Sequence, residues 1–205
     1  NTKHAQAQYF LGLSLLKVEK HKEAIKALKM AVESQPDFSE AFNYLGETHQ
    51  RLENYPDAIK AFNKAIKIDP DFTIAFNSLG TIYTLQKEYA KAVNYFKKSL
   101  ETNPKYENAL LNLGMIYEIL GRFPEAIKTY KNLLELNPNH TDAMFSLGWI
   151  LKDEKRYREA APIFKRAINL EPTANKYYGL GMVYKEMGRH EDALAQFRKT
   201  LQIDG

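Results

Sequence analysis

The sequence predicts an all-α fold, a solenoid of six helix–turn–helix hairpins, and three regular spacings support this prediction. Proline recurs every 34 residues, at Pro36, Pro70, Pro104, Pro138 and Pro172. Glycine keeps the same step at Gly12, Gly46, Gly80, Gly114 and Gly148, and Gly181 follows 33 residues later. Alanine recurs at Ala24, Ala58, Ala92, Ala126, Ala160 and Ala193, with Leu28, Phe62, Phe96, Tyr130, Phe164 and Phe197 four residues further on. A period of this length is typical of stacked structural repeats.

Each repeat is predicted to contain two helices, because apolar residues return at three- and four-residue intervals in two stretches between consecutive prolines. In repeat 2 the first stripe consists of Phe42, Leu45, Gly46 and His49, and the second of Ala58, Ile59, Phe62, Ala65 and Ile66. A break is expected near residues 53–57. Pro70 should end the second helix, because proline donates no N–H and restricts Asp69 to extended geometry. Gly46 and Ala58 lack bulk, which should let the two helices approach closely.

The 34-residue period, the Leu-Gly pair, the small residue, the aromatic residue and the closing proline resemble the tetratricopeptide repeat family over essentially the whole chain. In this register one domain spans residues 1–205, with repeats at about 5–38, 39–72, 73–106, 107–140, 141–173 and 174–205. The resemblance implies a right-handed α-solenoid, or superhelix, with first helices on a concave inner wall and second helices outside. A pentatricopeptide fold, which would indicate RNA binding, is disfavoured by the strict 34-residue step and the lack of a basic groove.

Composition argues against several functional classes. The chain has 29 Lys and Arg against 25 Asp and Glu, and because the basic residues are spread evenly, nucleic acid is not an expected partner. No apolar run approaches the roughly 20 residues of a membrane span, so we expect a soluble protein without direct membrane insertion. A cytoplasmic location is favoured, with membrane association only through a partner. Since the chain starts at Asn1 rather than Met, an upstream segment is expected.

No catalytic chemistry is expected. The five histidines, His4, His21, His49, His140 and His190, are never three or four residues apart, so a helical metal site is not predicted. The sequence contains no cysteine, no Gly-x-Ser-x-Gly turn and no phosphate-binding Gly-Lys-Ser loop. We therefore predict that the protein is not an enzyme and has no cofactor.

The family resemblance also implies which side chains face the groove, namely the second, fifth, ninth, twelfth and thirteenth places of each repeat. In repeats 2 and 3 this register selects a polar set able to exchange hydrogen bonds with a peptide backbone: Glu40, Asn43, Glu47, Gln50 and Arg51, then Asn77, Thr81 and Thr84. Asn43 and Asn77 are expected to hold an extended segment, as in family members that bind peptides along the groove. The alternative is that both belong to a solvated helix surface.

In repeats 4 to 6 the same register selects three large i,i+4 pairs, which we name the apolar band: Leu111 and Met115, Phe145 and Trp149, Tyr178 and Met182. Glu118, Lys152 and Lys185 border it. Large residues on a helix are usually core residues, but the core places are already filled by Leu110, Leu113, Met144, Leu147, Tyr177 and Leu180. The band is therefore predicted to be an accessible partner site, with Trp149 as its leading hot spot.

The first helix is apolar on nearly all sides, and Tyr9, Phe10, Leu13 and Leu16 are its predicted residues for self-association. A missing N-terminal repeat, end-to-end association of copies and a partner helix each explain this pattern. The preferred function is a scaffold that takes a peptide or amphipathic helix of a partner protein into its groove. The alternatives are a self-assembling homo-oligomeric scaffold, similar to organelle- and magnetosome-associated family members, and the substrate-recruiting arm of a larger enzyme.

Overall fold

The structure is a computed structural model that describes residues 2–204, and this range forms twelve α-helices and no β-strand. The helices are α1 (Thr2–Lys17), α2 (His21–Ser34), α3 (Ser39–Arg51), α4 (Tyr55–Ile68), α5 (Thr73–Leu85), α6 (Tyr89–Thr102), α7 (Glu107–Ile119), α8 (Phe123–Leu136), α9 (Thr141–Asp153), α10 (Tyr157–Leu170), α11 (Ala174–Glu186) and α12 (His190–Asp204). None of these helices combines the length and apolarity needed to cross a membrane. The predicted all-α fold of six hairpins is confirmed.

The chain divides into two compact units, and the boundary follows Ala109, inside α7. In the first unit, α1 packs on α2, α3 on α4 and α5 on α6, and the odd-numbered helices also contact one another in order. In the second unit, α8 to α12 pack in succession, and α9 also contacts α11. The first helices of neighbouring hairpins thus form a layer within each unit.

Six glycines bring the two helices of each hairpin together. Each lies against a large side chain 16 residues later, in the pairs Gly12 and Leu28, Gly46 and Phe62, Gly80 and Phe96, Gly114 and Tyr130, Gly148 and Phe164, and Gly181 and Phe197. A Cβ atom added to these glycines would lie only 2.5–2.8 Å from the nearest atom of its partner. The packing role predicted for these positions is confirmed, and it explains why alanine, with its one methyl group, does not occupy them.

The second helices end as predicted, whereas the turn inside the hairpin is shorter than predicted. In repeat 2, α4 stops at Ile68, and Asp69 is extended, with φ −122° and ψ 99°. The predicted break near residues 53–57 is too long, because α4 already begins at Tyr55. Pro56 is accommodated in the first turn, where its missing N–H would have had no helical partner. The Asn54 side chain accepts a hydrogen bond from the backbone N–H of Asp57 and caps the helix.

Candidate functional site

The apolar band lies in the second unit, where exposure follows the predicted register. Met115 and Tyr178 are 46% and 43% exposed, whereas Met144 and Leu147 are 1% exposed. The remaining members of the band, Leu111, Phe145, Trp149 and Met182, are half-buried, and the bordering Lys185 is exposed. Among the predicted core places only Tyr177 is not buried but half-buried. The band is therefore not sealed within its unit.

Trp149 occupies the centre of an aromatic cluster that packs around its indole ring. The ring meets Phe145 and the buried Phe164 edge-on, with centroid separations of 6.1 and 5.8 Å. Tyr178 lies 6.1 Å away on the neighbouring α11 and in turn contacts Phe197 of α12 at 5.9 Å. Sequence reasoning missed Phe197 as a member of this cluster, because it assigned the residue only to hairpin packing. Through its contact with Phe164, the half-buried tryptophan packs against the core of its unit.

Two charged groups near the band have different environments. The Lys152 ammonium lies 4.9 Å from the centroid of the Trp149 ring, a cation–π contact, and 2.7 Å from Oδ1 of Asp153. Glu118 Oε2 accepts a hydrogen bond of 3.2 Å from the hydroxyl of Tyr130. Burial raises the pKa of Glu118 despite this hydrogen bond, which lowers it. The lysine therefore offers a positive charge beside the aromatic surface, while the glutamate belongs to the packing of its hairpin.

A cleft of about 550 Å³ lies between α3 and α5 in the first unit. It brings together Glu47, Gln50, Arg51 and Asn77 of the predicted polar set but not Thr81 or Thr84. Its lining also includes Ile74, Leu85 and Tyr106. Ile74 and Leu85 stand at the second and thirteenth places of repeat 3, so the groove register could have found both.

Asn43 requires a correction. We expected an accessible amide that could hold a peptide, but the residue is 3% exposed, because its neighbours cover it. Its Nδ2 donates to Oε1 of Glu47 at 2.8 Å, and its Oδ1 is buried without a hydrogen-bond partner among the described residues. The hydroxyls of Thr81 and Thr84 donate to backbone carbonyls four residues earlier, at 3.1 and 2.9 Å. Both hydroxyl donors are therefore already used in hydrogen bonds within α5.

Glu47 combines partial burial with a charge. Burial raises the pKa of Glu47, while the hydrogen bond from Asn43 and the positive charge of Arg51 lower it by smaller amounts. The ionised form of Glu47 is therefore less favourable in the folded protein than in the unfolded chain, and it lowers the free energy of unfolding.

The predicted contact residues of α1 differ in accessibility. Tyr9 packs against Phe38 and Tyr44 at centroid separations of 4.8 and 5.8 Å and is half-buried. Burial raises the pKa of Tyr9 to about 12, with further contributions from the nearby Tyr44 and two glutamates. Leu13 and Leu16 are also half-buried, whereas Phe10 is 61% exposed. Phe10 is therefore the most accessible of the four predicted residues.

No metal centre is visible in the described part of the chain, where no three His, Cys, Asp or Glu side chains converge in a way that could hold an ion. The predicted site residues thus lie on three surfaces, which are the apolar band, the α3/α5 cleft and the exposed side of α1.

Comparison with solved structures shows the same fold in other proteins. YrrB, described as a TPR protein with an unusual peptide-binding site, has a TM-score of 0.77 at 23% identity, over 87% of this chain and 93% of YrrB. PilF of Pseudomonas aeruginosa has a TM-score of 0.82 at 20% identity, over 95% of this chain and 89% of PilF. MamA has a TM-score of 0.72 at 24% identity, over 85% of this chain and 96% of MamA. No curated protein matches the sequence significantly.

Models of the tetratricopeptide repeat match almost the entire sequence. The matched ranges are residues 5–38, 39–72, 73–106, 106–172 and 176–205. They follow the 34-residue register of the prolines and glycines, and proteins of this kind are typically interaction scaffolds without catalytic activity. This chain belongs to the tetratricopeptide repeat family.

Proposed function

We propose that this protein is a non-catalytic interaction scaffold that binds a peptide or an amphipathic helix of a partner protein, with the apolar band as the anchoring surface. The observation that carries the proposal is the state of Trp149, which is half-buried and packs against the rings of Phe145, Phe164 and Tyr178. Tryptophan is one of the residues enriched among the hot spots of protein interfaces.

The surroundings of Trp149 indicate the chemistry of the partner segment. Met115 and Met182 provide flexible apolar side chains that can adapt to different ligand shapes. Lys152 places a positive charge over the face of the indole ring. A segment with large apolar residues followed by an acidic one would complement both features. The peptide-binding site named for YrrB gives this proposal general support, as does the scaffold role typical of the family.

The polar contacts are proposed for the α3/α5 cleft of the first unit. Its Glu47 and Asn77 side chains lie in the lining beside Ile74 and Tyr106, a mixed surface suited to an extended segment. Because Asn43 is buried, its role would be to hold Glu47 rather than to touch the ligand.

The test is a pull-down from the native source that compares the wild-type protein with Trp149→Ala and Met115→Lys, followed by affinity measurements with the captured partner. Trp149→Ala should weaken binding by about 2 kcal/mol or more if the ring anchors the ligand. Leu136→Ala is the matched control, because Leu136 is 39% exposed on α8 and lies outside the band. Unchanged affinity combined with lower stability of Trp149→Ala would show that the tryptophan serves only the core.

Self-association through α1 is a second candidate function. Phe10 and the adjacent Leu11 are 61% and 49% exposed, and together they form a contiguous apolar patch on the surface of α1. Such patches are typical of protein interaction sites. Light scattering over a range of protein concentrations should then show a mass that rises with concentration, and Phe10→Glu should remove the increase. A constant monomeric mass for the wild-type protein would contradict this candidate.

A further inference from the structure

A smaller cavity in the first unit lies on the side of α3 that faces α2 and α4. Its volume is about 200 Å³, and Phe42, Leu45 and Ala61 form its apolar wall. The α3 residues of this wall differ from those that line the α3/α5 cleft, so the two openings use different faces of the helix. The cavity contains His49, which takes the place usually held by a tyrosine in the family repeat and which no part of the proposed function uses.

Hydrogen bonding assigns the tautomer of His49. The Asn54 amide oxygen accepts from the backbone of Asp57, so its Nδ2 is the atom 3.4 Å from Nδ1 of His49 and donates to it. The ring proton therefore lies on Nε2. Burial lowers the pKa of His49, a shift that favours the neutral ring and agrees with this assignment. Nε2 has no hydrogen-bond partner among the described residues and is not sealed from solvent, so it presents an unused N–H donor.

Three lysines surround the same cavity. Lys29, Lys60 and Lys64 line it, and within the described chain none of them forms an ion pair. The only carboxylate in the lining is that of Asp57, and its Oδ2 already accepts from Nδ2 of Asn54 at 2.8 Å. The rim of the cavity therefore carries an excess of positive charge over an apolar wall.

We propose that this cavity is a binding site for a small carboxylate with an apolar body, such as an aryl or short-chain carboxylic acid. The carboxylate would lie among the three ammonium groups and accept from Nε2 of His49, while the apolar body would contact Phe42 and Leu45. The volume supports a small molecule rather than a protein segment. It is below the roughly 300–1,000 Å³ of sites for drug-sized ligands and somewhat above the roughly 150 Å³ of a cavity that holds benzene.

The experiment titrates the full chain with benzoate and hexanoate and follows the imidazole resonances by NMR, with His49→Gln used to assign the signal of His49. The neutral probes are benzyl alcohol and hexanol. We expect the carboxylates to shift the His49 signal with millimolar or tighter affinity and the alcohols to bind at least about fivefold more weakly.

The charge requirement is tested by replacing the three cavity lysines together. The variant Lys29→Gln/Lys60→Gln/Lys64→Gln should bind benzoate about tenfold more weakly, because several partly exposed charge pairs each contribute a modest amount. Lys26→Gln/Lys67→Gln/Lys97→Gln is the matched control, since it removes the same charge from exposed lysines outside the cavity and should bind as the wild type does. Thermal unfolding of both variants checks that the fold is retained.

Three results would overturn the proposal. The first is the absence of any His49 shift at about 10 mM carboxylate, where even a weak site would be occupied. The second is equal binding of acids and alcohols, and the third is an unchanged affinity in the triple cavity variant. Each leaves the proposed partner binding of the apolar band untouched, since that surface belongs to the second unit and is tested by other residues.

Discussion

Gly114 of α7 lies against the ring of Tyr130 in α8 so closely that a Cβ atom on the glycine would be 2.6 Å from Cε1 of the tyrosine. The Tyr130 side chain is completely buried, and its hydroxyl donates to Glu118. Burial and the hydrogen bond hold the ring in this place, and the missing side chain of Gly114 is what allows the two helices to pack.

Gly114→Ala should lower the free energy of unfolding by about 1–3 kcal/mol, and Gly114→Leu by more, because overpacking forces the ring or the backbone to shift. Alanine favours helix formation by up to about 1 kcal/mol over glycine, so helix propensity alone would stabilise the variant. A loss of stability would therefore come from the steric clash with Tyr130. Chemical denaturation measures the change. Thr84→Ala, which removes only a hydroxyl bound to its own helix, should cost about 0.5 kcal/mol or less. A Gly114→Ala protein as stable as the wild type would contradict the packing role.

The turn inside each hairpin contains one residue in the left-handed backbone conformation, and the type of this residue differs between the repeats. Six residues in register have positive φ: Glu19, Glu53, Lys87, Gly121, Lys155 and Gly188, with φ between 57° and 71°. After each of them an N–H donates back to the last turn of the helix, as Asn54 does to the carbonyl of His49 at 2.9 Å. Only two repeats use glycine, which adopts this conformation without a Cβ penalty.

Lys87→Gly and Lys155→Gly should therefore raise the free energy of unfolding by about 0.5–1 kcal/mol each, because relief of backbone strain outweighs the added flexibility of the unfolded chain. The reverse change, Gly121→Lys, should lower it by a similar amount. Contact with other side chains cannot explain that loss, since no atom beyond the two neighbouring residues of the chain lies within 4 Å of a Cβ placed on Gly121. Stabilisation by Gly121→Lys would show that the turn is not strained.

Much of the fold could be predicted because the same types of residue make the same helix–helix contacts in each repeat. Gly46 and Phe62 recur in step with Pro70, so spacing alone located the helices and their contacts. The left-handed turn residues could not be found in this way. Glu53 and Lys87 give no signal of a positive φ, since the hydrogen bonds of the turn, and not the residue type, impose it.

The candidate sites were predictable only in part, because the repeat register gives the position of a side chain but not its surroundings. Register determines the face on which a side chain lies, and it separated Trp149 from the buried Leu147. It does not determine how far neighbouring side chains cover that face, so Asn43 was expected to be accessible and is buried. The His49 cavity was also hidden, because an apolar stripe specifies contact between helices and not the space that remains between them.

Glu47 predicts a pH dependence of stability. Its pKa is raised in the folded protein above the reference value of 4.5, mainly by burial, so its protonated form is favoured by folding. The resulting stabilisation is present below pH 4.5 and is lost as the pH rises through the folded-state pKa. Glu47→Gln removes the charge and keeps an oxygen for the amide of Asn43. It should therefore raise the melting temperature at pH 7 and change it little at pH 4.

Glu159→Gln provides the opposite case. The pKa of Glu159 is lowered, first by its hydrogen bond from Arg156, so its ionised form is favoured in the folded state. Replacing it should not stabilise the protein at pH 7. If both variants raised the melting temperature at pH 7 by the same amount, the gain would come from the general charge balance and not from the burial of Glu47.

The contact of Lys152 with Trp149 predicts that the positive charge stabilises the apolar band. Lys152→Met keeps an apolar chain over the ring but removes the ammonium group that lies 4.9 Å from its centroid. The change should lower the free energy of unfolding by about 0.5–1 kcal/mol and shift the emission of the single tryptophan. Asp153→Asn separates the ion pair from the ring contact, because Asp153 is largely exposed and its pairing should contribute less than about 0.5 kcal/mol. A larger loss in Asp153→Asn than in Lys152→Met would mean that the ion pair with Asp153, and not the contact with the indole ring, accounts for the stabilising effect of Lys152.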